Sequence, residues 1–487
     1  MGEFEREACR RLPLAEAALR LLDYVLRDDD LAEVFERHHG ACYEKVITFP
    51  VLVQLIADAL LEHHGSGHQS FSRARENGTL EASITAAYGK LRRVPIALSC
   101  GLLADTTPRL VAILPQPATD VLPESLRAFS ALALDGKKIK YVAKRLKPLR
   151  KIKGHVLGGK LVAAQELSSG LALGLSADPD GEAGDAALVP AVVDQVRAVR
   201  PGSRLWIADR GFCDLIQPRL LGANGDHYVI RYNAKTSFTP DPKRPARRGR
   251  DAQGRPFTEE WGWLGKGPNR IEVRRITLER PGDEAVIVVT DLLDRQVYPA
   301  TDILAVYLLR WGIEHMFQDI TEVFQLRHLI GSTPEATVFQ AAFCFLLYNV
   351  IVVMRAYLAT AKRPVANISG EKLFVDVERD LVAWQEVIGP AQTAEVLGEP
   401  LPTPQLKKRL KELMKSAWTE RWRKAPPHKQ PVKHPHKEYL KGGHNSVYRL
   451  LQEAKLAKRQ AAKRSARGPT TPQSPRRKPA AAGGNRC

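Results

Sequence analysis

The order of apolar segments between residues 130 and 231 restricts the fold more than any other feature of the chain. Three strand-like runs come in succession: SALALDGKKIKYV, GGKLVAAQEL and GLALGLSAD. A helical pattern, the strand-like RLWIADRG, a short helical pattern and the strand-like DHYVIRY follow. Three neighbouring strands followed by alternating helices and strands predict a mixed α/β sheet with a layer of helices.

Other patterns surround this predicted core. Thr48 can cap a helix that has Pro50 in its first turn, so the N-terminal part reads as helical. Periodicity alone does not distinguish a DNA-reading module from packing helices there. The pattern DILAVYLLRWGIEHMFQDITEVFQL predicts one long helix. The predicted regions are a helical N-terminal region (1–125), a catalytic core (126–330) interrupted by a β-rich insertion (about 234–300), a C-terminal helical region (331–400), a basic helical or loop segment (401–467) and a disordered tail (468–487).

The most apolar stretch, residues 338–358, is interpreted as a buried helix because Gln340, Asn349 and Arg355 interrupt it. The six cysteines form no CxxC pair or short cluster, so neither a disulfide framework nor a zinc site is expected. The first residues contain no apolar signal core. We therefore expect a cytoplasmic protein without a membrane partner.

The positive charge is concentrated at the end of the chain. Lys and Arg number 73 against 54 Asp and Glu, a net charge of +19. Residues 401–487 carry 23 of the cations and 4 of the acids, so the first 400 residues carry 50 of each. Such a segment predicts salt-sensitive affinity for a polyanion, either nucleic acid or an anionic membrane. Its leading cations are Lys407, Lys408, Arg409, Lys411, Arg421 and Arg423.

Three acids hold positions that suggest chemistry. Asp135 and Asp209 are each expected to end an apolar strand, and Glu314 lies within the predicted long helix. Carboxylates at strand ends can meet at one edge of a sheet, and a packed helix can add a third. Three oxygen donors suit hard cations such as Mg²⁺, which assist phosphoryl transfer. Taken singly, each acid has an ordinary alternative: a turn former, a surface ion pair or a solvated helix residue.

Tyr307, Arg310 and Glu314 stand at positions i, i+3 and i+7, so they are expected to share one helical face. An arginine one turn from a metal-binding glutamate can hold a phosphate with two hydrogen bonds. The opposite face is expected to be buried; it carries Leu308, Leu309, Trp311 and Phe317.

Three blocks in this order carry a family resemblance. They are ALDGKK, IADRGF, and VTDL followed by YLLRWGIEHMFQDI. Together they resemble the DDE transposases of the insertion-sequence-four family, whose catalytic core is like ribonuclease H. The acids are separated by 74 and 105 residues, and the wider second gap is similar to the β-strand insertion of that family. The resemblance covers roughly residues 45–450.

The resemblance implies that Asp135, Asp209 and Glu314 bind two Mg²⁺ ions, with Mn²⁺ as a substitute. It implies cut-and-paste transposition: hydrolysis at the ends of a mobile element frees a 3′-OH, which then attacks target double-stranded DNA. It also implies a bacterial, nucleoid-associated protein that acts as a homodimer on DNA.

The resemblance assigns DNA contacts as well. Tyr307 and Arg310 are implied to hold phosphates near the cut. Contacts to the DNA backbone are expected from the cations beside the two aspartates, Lys137, Lys138 and Arg210. One position departs from the family signature, because Thr321 stands where a lysine is usual. The metal-ligand positions are unaffected.

Two other functions remain open at this point. The first is a ribonuclease-H-like nuclease, or a domesticated derivative, that cuts or binds DNA without transposing. The second is a non-catalytic binder driven by the basic segment. Trp261 and Trp263 could stack on an unpaired base, although burial in the core is the favoured interpretation. The histidine pairs at 38–39 and 63–64, and His315, are not expected to bind metal.

Overall fold

The computed structural model describes residues 7, 9–117, 120–140, 142–324, 326, 328–424 and 445–466. The predicted disordered tail and residues 425–444 of the basic segment lie outside this part of the chain. The strands within it are β1 (Ser130–Ile139), β2 (Val156–Leu157), β3 (Gly159–Glu166), β4 (Ala172–Asp178), β5 (Arg204–Ala208), β6 (His227–Arg231), β7 (Phe238–Pro240), β8 (Arg247–Arg250), β9 (Pro256–Leu264), β10 (Ile271–Leu278), β11 (Val286–Thr290) and β12 (Asn445–Ser446).

The same part of the chain also contains helices. They are α1 (Pro13–Val25), α2 (Asp28–His38), α3 (Phe49–Leu61), α4 (Gly67–Glu76), α5 (Ile84–Leu91), α6 (Ile96–Ile113), α7 (Val189–Val199), α8 (Gln217–Leu221), α9 (Ala300–Leu308), α10 (Trp311–Glu322), α11 (Pro334–Leu358), α12 (Gly370–Val387), α13 (Pro390–Leu397), α14 (Thr403–Ala417) and α15 (Val447–Ala466). Thr48 caps α3 as predicted, because its hydroxyl accepts a hydrogen bond from the Val51 amide.

One large sheet has the order β4-β3-β1-β5-β6-β11-β10-β9-β7, with β8 paired to β9. The three strands predicted in succession are β1, β3 and β4, which form an antiparallel meander, and β5 and β6 add to it in parallel. The inserted strands continue the same sheet, since β11 pairs with β6. The predicted fold class, a ribonuclease-H-like mixed α/β sheet with helices and a β-rich insertion, is confirmed.

Alternate residues along the central strands contribute to two separate apolar clusters. In β5, Leu205 and Ile207 belong to the smaller cluster, whereas Trp206 and Ala208 belong to the larger one. Because successive side chains of a strand point to opposite faces, each cluster covers one face of the sheet.

Helix α11 is the central helix of the larger cluster. Within the described residues, two helices, α6 and α11, are long and apolar enough to cross a membrane by length and composition, but the apolar window of α11 is 100% buried within the protein. Its polar residues are paired inside the protein: Asn349 bonds to both the amide and the carbonyl of Ala172, and Gln340 bonds to the Ile330 amide. The predicted buried helix is therefore confirmed.

The predicted single helix around Glu314 is wrong, because it divides into α9 and α10 at Leu309 and Arg310. The backbone there forms shorter i to i−3 hydrogen bonds, from the amides of Arg310 and Gly312 among others. Helix α9 packs in the smaller cluster and α10 in the larger one. The break lets the chain pass from one face of the sheet to the other.

The basic C-terminal segment is partly built into the fold. Helix α14 packs on α1 and α11 through buried residues such as Leu406 and Leu410. Arg409 bonds to buried Glu16 of α1, and Arg421 pairs with Asp376 of α12. Two of the cations expected to serve DNA therefore hold helices together instead.

The last described elements return to the core. Strand β12 pairs in parallel with β2, and α15 packs against the 3₁₀ turn at Lys147–Leu149. Arg449 of α15 bonds to Asp180 and Glu182 in the loop after β4. The basic helix therefore lies against the core rather than apart from it.

Candidate active site

The two aspartates occupy neighbouring register positions. Strands β1 and β5 pair in parallel up to Leu134 and Ala208, and each aspartate is the next residue along the chain: Asp135 within β1 and Asp209 directly after β5. The prediction that the first strand ends at Asp135 is wrong, because β1 continues to Ile139 along its other neighbour, β3. Asp135 thus lies within β1 at the point where β5 ends, so one side of it is open.

The local backbone explains how both side chains are presented. Asp135 Oδ1 accepts a hydrogen bond from the amide of Gly136, 2.8 Å away. The Asp185 side chain packs closely on Gly136, since a Cβ there would lie 2.1 Å from Asp185 Oδ1 and the Asp185 carboxylate would have to move. Asp209 stands before the 3₁₀ turn Arg210–Phe212, and its Oδ1 is buried without a hydrogen-bond partner.

Arg310 connects the third acid to the first. Its Nη2 lies 2.8 Å from Glu314 Oε1 and its Nη1 lies 3.8 Å from Asp135 Oδ2. The guanidinium is only 5% exposed, whereas the Glu314 side chain is 40% exposed. Arg310 therefore stands between the two carboxylates and offsets their charge, and Glu314 extends from it towards solvent.

Burial is the main influence on the pKa of Asp135. Burial raises the pKa of its carboxyl to about 6, and the nearby carboxylates of Asp209 and Glu314 act in the same direction. The Gly136 amide and Arg310 oppose this rise in the pKa. The rise in the pKa of Asp135 is therefore mainly an effect of burial, which disfavours the charged carboxylate.

This donor set suits a hard divalent cation. Asp209 offers a buried oxygen with no partner, and a bound cation would stabilise the charged form of the buried Asp135 carboxyl. In the described ranges, no three His, Cys, Asp or Glu side chains already converge as a closed metal cluster. Glu314 instead bonds to Arg310. The aspartate pair therefore fits a metal, and Glu314 would join it by releasing the arginine.

A cavity of about 490 Å³ opens beside Asp135 and Glu314, whereas Asp209 does not line it. Asp135, Glu314, Lys137 and Lys138 all line it, which brings together four of the predicted residues. The expectation that Trp311 is buried is wrong: its side chain is 55% exposed and lines the same cavity. The break before α10 explains this position, because Trp311 now begins a helix instead of lying inside one.

The sequence reasoning did not single out Lys140, which also lines this cavity. A signal was present, since Lys137, Lys138 and Lys140 follow the first aspartate within five residues. His315 and Thr321 line the cavity too. The Thr321 hydroxyl donates a hydrogen bond to the carbonyl of Phe317. Threonine is uncharged, so this position does not supply the positive charge of the usual lysine.

The other predicted DNA-binding residues, Tyr307, Arg310 and Arg210, do not line this cavity. Tyr307 and Arg310 are buried, with the guanidinium 5.9 Å from the ring, so neither reaches the surface as the structure stands. Arg210 is exposed directly after Asp209. Trp261 is buried and donates to the Leu293 carbonyl, as the core interpretation requires. Trp263 is half-buried beneath the Arg270 guanidinium, 4.3 Å from the ring.

One histidine makes a contact that the sequence spacing did not indicate. His38 Nε2 lies 3.0 Å from Asp105 Oδ2. These residues are on α2 and α6, so the pair forms only after the two helices pack. It holds these helices together, far along the chain from the acids described above.

Comparison with known proteins agrees with this geometry. Residues 128–350 match the family model of the transposase DDE domain. The matched stretch runs from just before β1 into α11 and contains Asp135, Asp209 and Glu314. No curated protein matches the chain. The resemblance is confirmed at the level of a transposase DDE domain.

Proposed function

We propose that this chain is a transposase of the insertion-sequence-four type that cuts and joins DNA by a cut-and-paste route. The observation that carries the proposal is the pair Asp135 and Asp209, adjacent where β1 and β5 part, with Glu314 beside them and a cavity in front. The family match supports a DNA-processing enzyme of the DDE class.

Asp135, Asp209 and Glu314 would hold two Mg²⁺ ions, or Mn²⁺ in their place. Bound ions of this kind lower the pKa of water and neutralise charge on a phosphodiester. The protein residues do the rest. Lys137 and Lys138 bring positive charge to the cavity wall, and Arg310 balances Glu314 until the site is filled.

The proposed reaction needs no covalent bond between protein and DNA. Water breaks a phosphodiester at the end of the element and leaves a 3′-OH, and that hydroxyl then displaces the 3′-oxygen of a phosphodiester in the target DNA. Because two ends must be joined together, we propose a homodimer on double-stranded DNA. We also propose a cytoplasmic, nucleoid-associated location and the predicted division into regions.

A cleavage assay tests the proposal. Duplex DNA that carries the flanks of the coding segment is incubated with the protein and Mg²⁺. The rate of cleavage should fall by about 10²-fold or more in each of three variants, Asp135→Ala, Asp209→Ala and Glu314→Ala. This is the order of magnitude expected for the loss of electrostatic stabilisation. DNA binding should persist in all three. The matched control is Glu33→Ala, since this acid on α2 is 74% exposed. Full activity in any of the three variants would remove that residue from the site.

A second function has one observation in its favour. Thr321, with its hydroxyl bonded inside α10, supplies no cation where the family has a lysine. A nuclease or domesticated derivative would cut DNA without joining it. Supplying a precut end with a free 3′-OH decides between the two, because only a transposase converts that end into a joined product.

A further inference from the structure

Residues 137–153 form a strongly basic segment within the charge-neutral part of the chain. It has nine Lys and Arg and no acid. Past the 3₁₀ turn at Lys147–Leu149, Arg150, Lys151 and Lys153 are exposed. The cations of this segment that follow Lys138 are Lys140, Lys144, Arg145, Lys147, Arg150, Lys151 and Lys153. Among the described residues, no carboxylate lies within ion-pair distance of any of them.

This basic segment connects two cavities. Its first residues, 137–140, line the cavity in front of the acids, and Arg145 and Leu146 line a second cavity of about 460 Å³. A smaller space of about 330 Å³ shares Arg145 with the second cavity and also includes Ala143. A chain of positive charge therefore leads from the acids to the second cavity.

The second cavity lies where two helices begin. Ser66 and Gly67 at the start of α4, and Thr333 at the start of α11, line it together with Arg92. A helix leaves its first amides without an acceptor inside the helix and carries partial positive charge there. The two N-caps accept one amide each, from Gln69 and from Ala336, so further amides of both first turns remain available.

The approach of these helix ends is tight and depends on glycine. A Cβ on Gly67 would lie 2.3 Å from Ile330, and a Cβ on Gly331 would lie 2.2 Å from the Ala336 side chain. Arg145 Nη1 bonds to the carbonyl of Ile330, 2.9 Å away, which fixes the arginine at the cavity wall. The cavity is therefore shaped by specific contacts, and it lies where the starts of α4 and α11 meet the basic segment 137–153.

Ser332 is the observation that points to a ligand. It lines this cavity, its side chain is 7% exposed, and its hydroxyl is buried without a hydrogen-bond partner. A buried hydroxyl left unpaired costs free energy, so it is expected to serve a group that the protein itself does not supply. Two helix N-termini, two arginines and a free hydroxyl are together the chemistry of a phosphate site.

We infer that this two-helix cavity holds a backbone phosphate of the DNA, away from the scissile bond, and that the basic segment 137–153 guides the strand to it. The inference rests on the proposed function, because the cavity is assigned to the DNA that the acids would cut. Helix α15 extends the same basic surface, since it packs against the 3₁₀ turn of the segment. A free phosphate has the same chemistry as the DNA phosphate, so the experiment separates the two.

The test measures binding of the full-length chain to a fluorescent duplex in EDTA, over a range of KCl concentrations. Arg92→Ala combined with Arg145→Ala should reduce the slope of log affinity against log salt by about 1, since the single phosphate assigned to the cavity contributes about 0.9. Arg10→Ala is the matched control, because Arg10 is exposed and bonded to Glu7. The control should keep the wild-type slope.

Ser332→Ala gives the sharper readout. Because the hydroxyl has no partner in the protein, its removal should not lower the melting temperature, yet affinity for the duplex should fall about tenfold with an unchanged salt slope. Wild-type affinity and slope in all these variants would overturn the inference. The inference would also be overturned if the variants lost only their stabilisation by inorganic phosphate and kept wild-type affinity for the duplex. The cavity would then bind a small anion and not DNA.

The failure of this inference and that of the proposed function are distinguishable. These binding measurements contain no metal and need no cleavage. A wild-type chain that binds DNA through this cavity but never cuts would contradict the proposed function alone. A chain that cuts DNA with an unaltered salt slope in the arginine variant would contradict the inference alone.

Discussion

At the residue scale, the acids differ in what their surroundings do to them. Asp135 is held by the Gly136 amide and faces Arg310 at 3.8 Å, yet burial and two neighbouring carboxylates still raise its pKa to about 6. A raised carboxyl pKa favours the neutral form, so the residue is ready to bind a cation only above that pH.

This makes the pH dependence a prediction. In the metal-free protein, the carboxyl of Asp135 should titrate near pH 6, and affinity for Mg²⁺ should rise as the pH passes from about 5 to about 7. Asp209→Asn should lower the pKa of Asp135, because it removes a like charge. Carbon NMR of labelled aspartate measures both values, and an Asp135 pKa that does not move in the variant would contradict the proximity of the two acids.

Trp311 and Trp206 differ in exposure to solvent, and the sequence does not predict this difference. Trp311→Ala should change the free energy of unfolding by no more than about 0.5 kcal/mol, because the side chain is 55% exposed. Trp206→Ala, from a fully buried position in β5, should cost about 3–5 kcal/mol. Urea unfolding measures both changes, and equal losses would mean that Trp311 packs in the core.

At the element scale, α11 determines how the sheet and the helices fit together. Its Asn349 satisfies the amide and the carbonyl of Ala172 on the edge strand β4, each at 2.8 Å. The apolar sequence of the helix explains its burial, but only packing against β4 gives its polar residues their partners.

Asn349→Leu tests this contact. The change keeps the volume similar but leaves two buried backbone groups unpaired, so the free energy of unfolding should fall by about 2–4 kcal/mol. The control is Gln54→Leu on α3, whose hydrogen bond to Asp58 is exposed to solvent. A loss no larger than that of the control would show that water replaces Asn349.

At the scale of the whole molecule, the basic segment at the end of the chain divides into two parts. Residues of α14 are buried against α1 and α11, whereas most of α15 is exposed. Removing everything from Pro402 onward would therefore expose the core and would not isolate the contribution of charge to DNA binding.

Truncation after Lys424 is the appropriate experiment. It removes 15 Lys and Arg and 2 acids and retains α14. We expect weaker DNA binding and a shallower salt dependence, because fewer cations displace counterions from DNA. Mg²⁺-dependent cleavage should persist at low salt. Loss of cleavage despite an unchanged circular dichroism spectrum would mean that this segment contributes to the reaction itself.

The sequence alone was sufficient for the order of strands and helices from β1 to β6 and for the burial of α11, because apolar periodicity and polar punctuation are local properties of the chain. It also singled out the three acids as candidates for the site. Tertiary structure decided the rest. The end of β1 depends on its second neighbour, and the break between α9 and α10 depends on two clusters on opposite faces of the sheet. The partners of Arg409 and Arg421, and the meeting of two helix ends at Ser332, join residues far apart in sequence. No local pattern encodes such contacts, since they exist only after the elements pack.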